Sequence, residues 1–145
     1  MSDPAPRLSR MVRGRPEPDP RFVRRVAEVA LPLPGAYEED AWTGVRWRVR
    51  QRTFAHVVAL HHSDAVERLG ITDGRTVTVV TLRSAGEERA ALEAMGPPYL
   101  FPSWADDVVT VVLDDDIDWT ELRELVTESY RLLAPRRLVR ELDGP

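Results

Sequence analysis

From Val45 to Arg50 the chain reads Val-Arg-Trp-Arg-Val-Arg, a strict alternation that fits a single kind of regular structure. Successive side chains on a strand point to opposite faces, so Val45, Trp47 and Val49 share one face and Arg46, Arg48 and Arg50 the other. This is a half-buried strand, apolar toward a core and cationic toward solvent. It calls for a sheet covered on one side only, which antiparallel sheets tolerate and parallel sheets do not.

The remaining elements follow from local signals. Asp19 and Pro20 open a helix, because an Asp side chain accepts from free backbone amides and Pro lacks the N–H that would have no partner there. Phe22, Val23, Val26, Ala27, Val29 and Ala30 recur at helical spacing until Pro32, Pro34 and Gly35 end it. Residues Thr53 to Leu60 form a hairpin partner for the alternating strand, with Gln51-Arg52 as an unfavourable two-residue turn. Asp73-Gly74 marks a turn before a third strand, Thr76 to Leu82. Ser84 and Glu87 have capping-box spacing ahead of a helix with Leu92 and Met95 on its apolar side, stopped by Gly96 and Pro97-Pro98. Tyr99 to Phe101 and Val108 to Leu113 read as further strands. Asp118 then caps a helix lined by Leu122, Leu125, Val126, Ser129, Tyr130 and Leu133 up to Pro135, and Arg136 to Leu142 adds a short helical turn. The resulting order, α-β-β-β-α-β-β-α, predicts an α+β fold of two layers: an antiparallel sheet of about five strands with helices on one face.

Composition narrows the chemistry. The chain has no cysteine and no lysine, since all 20 basic residues are Arg. Disulfides, thiolate nucleophiles, Schiff-base catalysis and a phosphate-loop lysine are therefore excluded. Residues 1–20 carry Pro4, Pro6, Pro16, Pro18 and Pro20 with little to bury, which predicts a disordered tail ahead of one domain over residues 21–142. No apolar run approaches the length of a membrane span and no secretory pattern opens the chain, so a cytoplasmic location is expected. Lack of Lys and Asn beside abundant Ala, Val, Arg and Pro has the look of a GC-rich bacterial genome. The net charge of −4 is unevenly spread: residues 1–52 hold eleven Arg against seven acids, and residues 53–145 nine Arg against seventeen.

Several motifs taken in order are more specific than any one of them. They are Leu31-Pro32-Leu33-Pro34-Gly35-Ala36-Tyr37-Glu38-Glu39, Trp42, Arg46-Trp47-Arg48-Val49, Trp104, the Val108–Leu113 strand, Asp118-Trp119, Ser129-Tyr130 and Ala134-Pro135-Arg136-Arg137-Leu138. In this order and spacing, over roughly Phe22 to Leu138, the chain resembles the small bacterial MmcQ/YjbR family. The resemblance implies a two-layer, double-wing fold and binding to double-stranded DNA through the sheet or its hairpins.

The residues themselves offer a matching surface. Arg46, Arg48, Arg50 and Arg52 along one strand and hairpin can grip successive phosphates, and Arg7, Arg10, Arg13 and Arg15 can extend the contact as a flexible arm. A solvated sheet face and a solvated tail account for the same arginines, with Glu38, Glu39 and Asp40 nearby to neutralise the strand. A protein-interaction module and a small-ligand cleft lined by Glu38, Trp42 and Trp104 are the competing readings. Metal and cofactor sites are not expected: the carboxylates Asp114, Asp115, Asp116 and Asp118 sit where a helix start is capped, and His61-His62 with Asp64 points to a loop. His56 reads as a packed or surface histidine. Ser129 lies within a helix and lacks the glycines of a nucleophile elbow, and no named enzymatic reaction is supported.

Overall fold

The computed structural model describes residues 16–61, 67, 74–102 and 105–144. Along these residues run α1 (Pro20–Ala30), β1 (Tyr37–Asp40), β2 (Val45–Val49), β3 (Arg52–Leu60), β4 (Val77–Arg83), α2 (Gly86–Met95), β5 (Tyr99–Leu100), β6 (Val108–Leu113), α3 (Trp119–Leu133) and α4 (Arg136–Asp143). The strands form one sheet in the order β1-β2-β3-β4-β6-β5, antiparallel at every pairing.

The sheet thus has six strands among the described residues, where about five were expected. The addition is β1, Tyr-Glu-Glu-Asp, whose three acids have little intrinsic preference for a strand. Its order comes from pairing with β2, Tyr37 opposite Arg48 and Asp40 opposite Val45. Gly44 closes the turn between them at φ +76°, and a Cβ there would lie 1.9 Å from the Val57 carbonyl oxygen. Only glycine allows this turn to lie against β3.

One face of the sheet carries the main core. Trp47, Val57, Val80, Leu82, Val109 and Val111 are buried there with Phe22 and Val26 of α1, Leu92 of α2, Val126 and Tyr130 of α3 and Leu138 of α4. The four helices named above all contribute to this one cluster, as a two-layer arrangement requires. Pleat alternation sends Val77 and Val79 to the other face, where Val58, Leu60 and Val112 join them in a second apolar cluster.

Asp19 and Asp118 cap α1 and α3 through side-chain bonds to backbone amides, from Arg21 at 2.9 Å and from Thr120 and Glu121 at 3.0 and 3.1 Å. At α2 the expected capping box does not form. The helix begins at Gly86, so Ser84 stands one residue too early and its hydroxyl donates instead to Glu88 at 2.6 Å. Met95, expected on the apolar side, is 58% exposed.

The β2–β3 connection also differs from expectation. The turn residues are Arg50 and Gln51, with φ +50° and +67°, and Val49 faces Arg52 across the closing pair. Two left-handed residues match the twist of a tight hairpin, at a conformational cost for side chains other than glycine. The register slips between Trp47, opposite Ala55, and Arg48, opposite Thr53, leaving Phe54 as a bulge residue. Ser129 serves the irregular backbone: its buried hydroxyl donates to the Phe54 carbonyl at 2.6 Å and accepts from the Arg83 amide at 2.8 Å. No helix among the described residues is long and apolar enough to cross a membrane.

Candidate functional site

The four arginines predicted as one ladder fall into two groups. Arg46 and Arg48 remain on the outer face of β2, where β1 brings Glu39 beside both. Glu39 Oε1 accepts from Arg46 Nε at 2.6 Å and from an Arg48 terminal nitrogen at 3.1 Å, and a second Arg46 nitrogen forms an ion pair with the same oxygen. The hydrogen bond from Arg46, reinforced by Arg48, holds the Glu39 carboxyl below the usual glutamate range. Arg48 also donates to the Gln51 carbonyl oxygen, which ties its guanidinium back onto the turn. One carboxylate therefore occupies two guanidiniums.

Arg50 and Arg52 escape this arrangement because the chain leaves the strand before reaching them. Arg50 sits in the turn and Arg52 opens β3; both are exposed, and neither guanidinium has an ion pair or hydrogen bond among the described residues. The end of the hairpin is backed by α4. A Cβ on Gly35 would lie 3.0 Å from Leu138 Cδ1 and 3.8 Å from Val49 Cγ2, so Gly35, Val49 and α4 meet at one point beside the turn. Arg136, Arg137 and Arg140 of α4 are likewise exposed and without partners among the described residues. Asp143 of the same helix is already held by Arg131, at 2.5 and 3.1 Å. Sequence reasoning placed this helix but not its role. The signal that marks it is three arginines around a single buried leucine, Leu138.

His56 lies opposite Arg46 in the register. Its Nε2–H donates to the Thr43 carbonyl at 2.6 Å, and burial lowers its pKa, with Arg46 adding to the effect against the opposing bond to Thr43. Glu38, read from the sequence as one wall of a possible cleft, accepts from the indole N–H of the fully buried Trp47 at 2.9 Å. Trp42 is 66% exposed in the β1–β2 connection. Trp104 lies outside the described residues, as do Arg7, Arg10, Arg13, Arg15, His62 and Asp64.

Among the described residues no group of three or more metal-ligating side chains is placed to hold an ion. The acids before α3 have local roles instead: Asp118 caps the helix, Asp114 accepts from the Asp116 amide at 2.9 Å, and Asp115 lies 3.4 Å from Arg21.

Comparison with known proteins agrees with this architecture. The family model described as YjbR matches residues 31–132. A crystal structure of a Pseudomonas syringae protein aligns with a TM-score of 0.58 at 14% identity, covering 75% of this chain and 96% of its own. A Deinococcus radiodurans protein with a DUF419 domain aligns with a TM-score of 0.58 at 20% identity, covering 85% of this chain and 88% of its own. At these identities the two structures bear on the fold alone. No curated protein matches the chain.

Proposed function

The chain belongs to the YjbR family, and on that premise we propose that it binds the phosphate backbone of double-stranded DNA through the β2–β3 turn and α4. The observation that carries this reading is the set of five exposed arginines on the β2–β3 turn and α4, Arg50, Arg52, Arg136, Arg137 and Arg140, which have no acid partner among the described residues. Guanidinium groups suit phosphate because their planar forks donate two parallel hydrogen bonds and never lose their charge. The turn supplies a projecting tip and the helix an adjacent cationic surface. The net charge of −4 limits long-range attraction, so binding rests on this local surface and weakens steeply with salt. The function proposed is non-enzymatic; Ser129, the buried hydroxyl nearest the hairpin bulge, is occupied by two backbone groups.

Fluorescence anisotropy of a labelled duplex, titrated across a salt series, tests the proposal. Wild type is expected to bind with a log–log salt slope of roughly −3.5 to −4.5, as about four or five phosphate contacts give. Replacing all five arginines by Ala abolishes binding, whereas the Arg46→Ala/Arg48→Ala variant retains it. Absence of binding at low salt, or binding that survives the five replacements, overturns the assignment.

A further inference from the structure

A second cationic site lies on the helical side of the molecule, and it stands independently of the DNA reading. Arg21, Arg24 and Arg25 of α1, at helical neighbour spacing with Glu28, line a groove of about 640 Å³ together with Trp119 and Arg123 of α3. Four arginines and two acids, Glu28 and Asp115, line it. Arg21 is held by Asp19 at 2.9 Å and Asp115 at 3.4 Å. The Arg25 guanidinium carbon lies 4.5 Å from the Trp119 ring centroid, and its Nε is 3.9 Å from Glu28. Stacking on the indole holds that cation at the groove while leaving its N–H edge able to donate.

Arg24 and Arg123, contributed by different helices, have no ion pair or hydrogen bond of their guanidiniums among the described residues. The groove is large enough for a small molecule, and its apolar lining by Phe22 and Trp119 strengthens charge interactions beside it. Two unpartnered forks from separate helices, with a stacked third, match adjacent phosphate groups better than a single monovalent anion. We propose that the α1–α3 groove binds a small molecule bearing two linked phosphates, with Arg24 and Arg123 as its principal contacts.

Isothermal titration of the whole chain at low salt, with inorganic pyrophosphate and with ADP as probes, tests this site. Binding is expected to weaken at least about tenfold in Arg24→Gln and in Arg123→Gln, each of which removes a charge-assisted pair at an exposed position. Glu28→Gln, which removes a competing acid, is expected to tighten binding roughly threefold, and a gain of this kind is not produced by a misfolded protein. The variant lacking Arg50, Arg52, Arg136, Arg137 and Arg140 is expected to bind both probes as wild type does, which separates this site from the DNA surface. Equal or tighter binding of ADP assigns a nucleotide, and binding of pyrophosphate alone assigns the inorganic ion. No binding of either probe, binding that survives the Arg24→Gln/Arg123→Gln pair, or loss in the five-arginine variant overturns the proposal.

Discussion

Arg46 and Arg48 on β2 and Arg50 and Arg52 around the turn are the same residue type within one short stretch, yet their surroundings are opposite. The first two share Glu39, and the second two have no acid partner among the described residues. The difference is set by β1, which runs only as far as the pairing of Tyr37 with Arg48 and so delivers its carboxylate to the strand and not to the tip. A guanidinium's availability is thus a property of sheet register, beyond what its position in an alternating pattern determines.

The comparison breaks most severely if the hairpin backbone loses its support. Ser129→Ala leaves the Phe54 carbonyl and the Arg83 amide without their bonds in a buried setting, and about 2–4 kcal/mol of stability should be lost, measured by chemical denaturation. Next in size is Glu39→Gln, which releases both strand arginines. Duplex affinity at low salt should rise roughly tenfold and the salt slope should steepen by about 1 to 2, as anisotropy would register; unchanged binding would mean that the strand face never meets the DNA.

Gln51→Gly relieves the left-handed conformation at φ +67° while keeping both tip arginines. A net gain of about 0.5–1 kcal/mol, seen as a rise of roughly 1–4 °C in Tm, should come without a change in DNA affinity. The smallest effect concerns His56. Its pKa is lowered in the folded state, so the unfolded chain binds more protons below the ordinary histidine value. The associated stability is therefore complete above about pH 6.5 and declines as pH falls through the lowered value. Thermal unfolding between about pH 7 and pH 5 should show this slope, and His56→Gln should flatten it.

The elements legible in the sequence were those whose signals are local. Asp19 with Pro20, Asp118, the Val108–Leu113 run and the alternation around Trp47 each act through neighbours in the chain, and each lies where its pattern placed it. The split among the arginines was not legible, because it depends on β1, whose acidic residues give no strand signal and take their order from β2. The phase of the hairpin was equally hidden. The bulge at Phe54 is met by the side-chain hydroxyl of Ser129, distant in sequence, and the turn falls at Arg50-Gln51. For the candidate surface, the tip arginines were visible and their association with α4 was not, since Gly35, Val49 and Leu138 meet only in the folded chain.

The position of β1 at the rim of the sheet has one more consequence. An outermost strand presents unpaired backbone groups to which another chain can add, and the opposite rim, β5, has only two residues with which to do so. On the longer rim Glu38, Glu39 and Asp40 stand consecutively. A second copy approaching rim to rim would bring like charges together, so Glu39, which neutralises Arg46 and Arg48, stands in a run of acids that disfavours edgewise pairing.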